Sequence, residues 1–67
     1  MAKLRAIYPN GDCKDYLIAD GEQYQRAKEI FEKEPSILYF FYWRDKDLIG
    51  NQFYTYPIER EDIAYLQ

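Results

Sequence analysis

Residues 36–43 read Ser-Ile-Leu-Tyr-Phe-Phe-Tyr-Trp and form the strongest β-strand signal in the chain. Because side chains alternate between the two faces of a strand, the stretch divides into Ile37, Tyr39, Phe41 and Trp43 on one face and Leu38, Phe40 and Tyr42 on the other. Both faces are apolar. This pattern predicts either a central strand covered on both sides or a strand that presents aromatic rings to a partner.

A β-hairpin is predicted before this strand. Residues 3–8 alternate polar and apolar side chains, as a half-buried strand does, and residues 13–18 are compatible with a second strand. Between them, Pro9-Asn10-Gly11-Asp12 is typical of a tight turn, since proline presets the first corner and Asn-Gly tolerates the positive φ that follows.

An amphipathic helix is predicted from Asp20 to about Lys33. Asp20 is the expected N-cap, and Gln23 can reach back to it in a capping box. Pro35 ends the helix because the residue before a proline disfavours the α region. The apolar stripe expected to enter the core consists of Tyr24, Ala27, Ile30 and Phe31.

The remaining segments predict a loop, a strand and a short C-terminal helix. Residues 44–47 carry alternating charges typical of a loop, and Gly50-Asn51 is a turn signal. Residues 52–58 alternate as a strand, with Pro57 favouring a sheet edge. We expect residues 59–66 to form a helical turn rather than a strand. The prediction is one α+β domain spanning residues 1–67, in ββαββ order, with an antiparallel sheet and one main helix on one face.

Composition removes most catalytic chemistries. The chain has 67 residues, no histidine and a single cysteine, which excludes an intrachain disulfide, His-assisted nucleophiles and tetrahedral zinc sites. We therefore expect no enzymatic activity and no cofactor, and an inert or buried Cys13. A lone cysteine and the lack of any signal-peptide or membrane-spanning stretch predict a soluble, cytoplasmic protein.

The aromatic content, 19% of the chain, supplies the main functional hypothesis. One helix cannot cover both faces of the strand at residues 36–43, and tyrosine and tryptophan tolerate exposure better than phenylalanine. The predicted partner-binding residues are Tyr39, Trp43, Tyr54 and Tyr56, with Arg44 beside them. This composition favours a small regulator or inhibitor that binds a larger protein, and a homodimer through the same rings stays open.

Two alternatives involve nucleic acid. The net charge of −3 disfavours direct nucleic-acid binding, but aromatic rings beside Lys3, Arg5, Arg44 and Lys46 could stack unpaired bases. Alternatively, an acidic surface could mimic nucleic acid and inhibit a nuclease or a similar enzyme, as some phage or mobile-element proteins do. The candidate residues for that surface are Glu29, Glu32, Glu59, Glu61 and Asp62.

Overall fold

The computed structural model describes the backbone of residues 2–46 and 52–65 and the side chains of residues 2–44 and 56–65. It confirms the predicted α+β fold and the ββαββ order with a short final helix. The elements are β1 (Ala2–Ile7), β2 (Cys13–Ile18), α1 (Gln23–Lys33), β3 (Tyr39–Lys46), β4 (Gln52–Ile58) and α2 (Arg60–Ile63).

The strands form one antiparallel sheet in the order β2-β1-β3-β4. β1 lies inside the sheet, with Leu4 opposite Tyr16 of β2 and Tyr42 of β3. Beyond the first hairpin, the chain passes through α1 and returns on the other side of β1. This crossover leaves β2 and β4 as the two edges of the sheet.

α1 covers one face of the sheet and completes the core. Its buried residues are Ala27, Ile30 and Phe31, as the apolar stripe predicts. The rings of Phe31 and Phe40 meet edge to face with their centroids 4.8 Å apart. The small side chain of Ala6 on β1 faces the same core and is fully buried. Tyr24 packs against the edge of this cluster and is only partly buried.

The predicted hairpin turn forms between β1 and β2, where Tyr8 and Asp12 flank residues 9–11. The Gly11 amide donates to the Tyr8 carbonyl, and the Tyr8 amide donates to the Asp12 carbonyl, both at 3.0 Å. Gly11 has a φ of 91°, a conformation that glycine adopts without steric cost. The Asn10 side-chain oxygen accepts the Asp12 amide at 3.0 Å, which satisfies a turn donor.

The aromatic strand is displaced from its predicted position. It begins at Tyr39 rather than residue 36 and continues to Lys46, through the charged segment predicted as a loop. Backbone pairing explains the extension, because Arg44 lies between Ala2 of β1 and β4, while Asp45 and Lys46 pair with β4. Ladder hydrogen bonds therefore outweigh the low β-propensity of the charged residues. The Gly50-Asn51 turn lies outside the described residues.

The predicted N-terminal cap of α1 is wrong. Gly21, with a φ of 87°, turns the chain so that the Glu22 amide donates to the Ala19 carbonyl at 3.2 Å. The helix consequently begins at Gln23, with Glu22 in the capping position. Gln23 makes no capping box and instead donates from its side chain to the Tyr56 hydroxyl at 3.1 Å.

α2 forms as predicted from the acidic tail. The Asp62 carboxylate accepts the Glu59 amide at 2.7 Å, which satisfies a donor at the start of the helix, and Ile63 is buried against the core. Within the described part of the chain, neither α1 nor α2 has the length and apolar character needed to cross a membrane.

Candidate functional site

The sheet face opposite α1, here called the open face, is covered by no element among the described residues. Strand alternation places on it every second residue of each strand, since the intervening residues point to the side of the sheet that α1 covers. Its described side chains are Lys3, Arg5, Ile7, Cys13, Asp15, Leu17, Tyr39, Phe41, Trp43 and Pro57. The open face therefore contains the half of the aromatic strand that one helix cannot cover.

Aromatic rings occupy the β3 part of the open face. Tyr39 and Phe41 meet edge to face, with centroids 5.5 Å apart, and both are partly exposed. Trp43, also partly exposed, has two cations within reach of its ring: the Lys3 ammonium at 5.4 Å and the Arg5 guanidinium at 5.3 Å from the centroid. Contacts of this kind hold the cations against the ring.

A charged row crosses the open face next to these rings. Arg5 and Asp15 lie directly opposite each other in the β1–β2 register and form a bidentate pair at 2.8 and 3.1 Å. Lys3 lies 3.5 Å from the same carboxylate. The Arg5 hydrogen bonds lower the pKa of Asp15 below its ordinary value. These side chains together carry one net positive charge, in a protein whose overall charge is negative.

Tyr39 and Trp43 lie on the open face, but Tyr56 does not. In the β3–β4 register Tyr56 pairs with Tyr42, under α1. The two rings lie 5.0 Å apart, and the Tyr56 hydroxyl is held by Gln23 of α1. The prediction that Tyr56 shares a face with Trp43 is therefore wrong, because the β3–β4 register places Tyr56 on the helix-covered side.

Arg44 also lies away from the open face. It alternates with Trp43 along β3 and reaches the start of α1, where its guanidinium lies 3.7 Å from Asp20. The backbone of Tyr54 pairs with Arg44; its side chain lies outside the described residues. Phe41 is not among the predicted partner-binding residues, and Lys3 and Arg5 are predicted to take part only in the nucleic-acid alternative. The alternation of residues 3–8 places Lys3 and Arg5 on one face of β1. The pairing of β1 with β3 then brings both side chains beside Trp43.

The candidate acidic residues form local pairs rather than one surface. Glu29 lies 3.4 Å from Arg26, and Glu32 lies 3.0 Å from Lys28, each within α1. In α2, Asp62 is engaged by the Glu59 amide at 2.7 Å. Glu59 and Glu61 are exposed at the other end of the chain. This arrangement gives little support to mimicry of a phosphate backbone.

A cluster of polar side chains around the Glu34 carboxylate joins the hairpin to the end of α1. Glu34 accepts hydrogen bonds from the hydroxyls of Tyr8 at 2.6 Å and Tyr16 at 2.7 Å, and Lys14 lies 3.9 Å away. The two tyrosine hydrogen bonds lower the pKa of Glu34. The Glu34 bond raises the pKa of Tyr8, and burial together with that carboxylate raises the pKa of Tyr16. All the polar atoms engage one another, so we assign the cluster a structural role.

Cys13 and the potential metal ligands form no further site. The Cys13 thiol is exposed rather than buried, at the rim of a shallow groove beside the hairpin turn. Across the part of the chain that the structure describes, no group of three or more histidine, cysteine or carboxylate side chains could hold a metal ion. The chain matches no protein-family model, no curated protein and no solved structure. Its geometry is therefore the basis for a functional proposal.

Proposed function

We propose that this chain is a non-enzymatic, cytoplasmic protein-binding module that regulates or inhibits a larger protein through its open face. One observation carries the proposal: Tyr39, Phe41 and Trp43 lie partly exposed on a sheet face that no described element covers. A folded domain gains stability by burying such rings, so a face that keeps them accessible is well suited to a partner.

The chemistry of the open face resembles the centre of a protein interface. Tryptophan, tyrosine and arginine are the residues most often found to dominate binding energy. Arg5 and Lys3 are already held against Trp43 and Asp15. Ordering them on binding therefore costs less side-chain entropy than ordering free side chains. The net positive charge of this row favours a partner surface that combines apolar and acidic side chains.

Capture experiments with matched variants test the proposal. The immobilised chain is exposed to lysate of its source organism, and the retained proteins are compared for wild type, Tyr39→Ala and Trp43→Ala. Tyr65→Ala is the control, because Tyr65 is 70% exposed but lies on the C-terminal turn. Removing a central anchor should weaken binding by about 2 kcal/mol, so the specific partner should be lost from both open-face variants and retained by the control.

Thermal melting of the same variants separates binding from folding. Tyr39→Ala and Trp43→Ala should melt close to wild type, because their side chains lie outside the core. If both variants melt far below wild type and retain the same proteins, the rings serve the fold and the proposal is wrong.

A second candidate is a platform for unpaired nucleic acid. It is favoured by the position of Lys3 and Arg5 beside Trp43, since single-strand binders combine stacking rings with basic residues. The pairing of both cations with Asp15 and the net charge of −3 disfavour it. We expect no binding of labelled oligo-dT or oligo-U at physiological salt. Micromolar binding with a steep salt dependence, abolished by Trp43→Ala, would favour the platform instead.

A further inference from the structure

Among the described residues, no strand pairs with the outer edge of β2. The hydrogen bonds of β1 show which backbone groups of β2 point outward from that edge. The Tyr8 amide donates across the hairpin to Asp12, while the Ile7 carbonyl accepts the Leu38 amide on the opposite side of β1. Backbone groups alternate in direction along a strand. Residues 2, 4 and 6 of β1 therefore direct their backbone hydrogen bonds toward β2, to the opposite residues 18, 16 and 14. The amides and carbonyls of Cys13, Asp15 and Leu17 point outward from the sheet.

This edge lacks two of the features that often block further strand pairing, a bulge and a proline. The β1–β2 register is continuous from Ile7 opposite Cys13 to Ala2 opposite Ile18, without a bulge, and β2 contains no proline. Leu17, on the open face beside this edge, is 69% exposed. The other edge differs: Pro57 stands in β4 and contributes no backbone donor there. A free, unbulged edge beside an exposed apolar side chain suits the addition of a strand.

The open face alone is small for a stable protein interface, which is a reason for a partner to extend onto the β2 edge. Strands about 4.8 Å apart and about 20 Å long give a four-stranded face a projected area of roughly 400 Å². A stable interface buries about 800 Å² on each partner. A partner seated on the open face therefore needs further contact beyond it, and the β2 edge is continuous with that face through Leu17.

A second copy of this chain is a poor occupant of the edge. Two identical antiparallel strands pair about a twofold axis that passes between one residue and its own copy. The registers with most overlap centre on Asp15 or on Tyr16. The first sets Asp15 opposite Asp15, which is repulsive. The second sets the Asp15 carboxylate opposite the exposed Leu17 side chain, leaving neither with a suitable neighbour.

We propose that the protein partner adds an extended segment to the β2 edge, pairing its backbone with Cys13, Asp15 and Leu17. The segment carries an apolar side chain opposite Leu17, because residues directly opposite in a sheet share a face. The partner then continues from this strand onto Trp43 and its neighbours. This inference rests on the proposed function of the open face and specifies how the partner docks.

Amide hydrogen exchange of the free chain tests the edge itself. The Lys14 and Tyr16 amides point toward β1 and should exchange slowly with solvent. The amides of Cys13, Asp15 and Leu17 point outward and should exchange fast. Protection of these three amides that rises with protein concentration would show pairing between copies. That result would overturn the assignment of a foreign segment.

Binding is tested with a display library of random twelve-residue linear peptides selected on the wild-type chain. Bound peptides should protect the Asp15 and Leu17 amides from exchange. A synthetic chain with N-methylated Leu17, which retains the side chain but loses the outward donor, should bind about tenfold more weakly or worse. Leu17→Ala, which keeps the amide, is the matched control and should lose less. A selection without binders, or binders that leave both amides unprotected, would overturn the proposal.

Trp43→Ala distinguishes failure of the docking mode from failure of the proposed function. Peptides that lose affinity in Trp43→Ala but leave the β2 amides unprotected support the open face and overturn strand addition. Peptides that protect the β2 amides and bind Trp43→Ala normally support strand addition and count against the open face. Because the exchange readout uses the wild-type chain, it remains decisive even if the N-methylated chain fails to fold.

Discussion

Arg60 links α2 to the segment between α1 and β3. Its guanidinium donates to the Pro35 carbonyl at 2.6 Å and to the Ile37 carbonyl at 2.7 Å, and it lies 4.2 Å from the Phe31 ring centroid. One nitrogen of the guanidinium, Nη2, donates to both carbonyls. The planar group lies over the ring at the same time, and the ammonium of lysine has no such plane to stack. One exposed side chain therefore connects the C-terminal helix, the α1–β3 connection and the core.

We expect Arg60→Lys to lower the free energy of unfolding by about 1–2 kcal/mol, since the charge stays but the planar contact with the Phe31 ring and the geometry of the two carbonyl hydrogen bonds are lost. Chemical denaturation measures the change. Arg26→Lys is the control, because Arg26 makes one ion pair with Glu29 on the surface of α1, and it should change stability by less than about 0.5 kcal/mol. Equal effects of the two substitutions would contradict the role assigned to Arg60.

Glu34 makes the fold sensitive to acid. The hydroxyls of Tyr8 and Tyr16 lower its pKa in the folded chain, so the charged form is the one that stabilises the fold. That contribution is complete above the unfolded pKa of about 4.3 and is lost as the pH falls through the lower folded pKa. Asp15, whose pKa is lowered mainly by Arg5, adds a contribution of the same sign.

The melting temperature of the wild type should therefore fall as the pH drops below about 4. Glu34→Gln should melt at a lower temperature near neutral pH and show a shallower acid dependence, with the Asp15 part remaining. Glu29→Gln, on the exposed side of α1, should reproduce the wild-type profile. A Glu34→Gln profile parallel to that of the wild type would show that the tyrosine bonds add nothing to acid stability.

At the scale of elements, the two faces of β3 have different surroundings. Phe40 is fully buried under α1, whereas Phe41, the next residue, lies partly exposed on the open face. Two adjacent phenylalanines therefore differ in what surrounds them, and this difference is the physical basis for separating the core from the candidate interface.

Alanine substitutions of phenylalanines on the two sides of the sheet should differ in their effect on stability. Phe31→Ala removes a ring that is 4% exposed, and it should cost about 3–5 kcal/mol, enough to unfold much of the population of a small domain. Phe41→Ala should cost about 1 kcal/mol. Thermal and chemical denaturation measure both. A soluble Phe31→Ala protein with an unchanged melting temperature would show that α1 packs through another face.

At the scale of the whole molecule, stability rests on packing and hydrogen bonds rather than on cross-links. The chain has a single cysteine and no histidine, and the described residues bring no metal-binding group together. Its unfolding temperature should therefore be unchanged by a thiol reductant and by a strong chelator, measured separately on the purified chain. A fall of several degrees with the chelator would indicate a bound ion that contributes to folding.

Local pattern was sufficient to predict the type and order of the elements of this protein. Tyr24, Ala27, Ile30 and Phe31 recur at helical spacing, so α1 and its buried face followed from the sequence. Pro9-Asn10-Gly11-Asp12 likewise encodes its turn through glycine's tolerance of positive φ. The end of β3 could not be predicted in this way, since the charged segment after Trp43 becomes a strand only by pairing with β4 and, at Arg44, also with β1.

The open face was decided by the tertiary structure. Alternation along residues 36–43 separates Phe40 and Tyr42 from Tyr39, Phe41 and Trp43, but it cannot say which set α1 covers. Tyr56 joins the covered set only through the β3–β4 register, which depends on pairing between distant segments rather than on local composition. The sequence by itself therefore determined that β3 has more apolar side chains than one helix can cover. The strand order β2-β1-β3-β4 and the side on which α1 packs decided which rings remain accessible and brought Lys3 and Arg5 beside them.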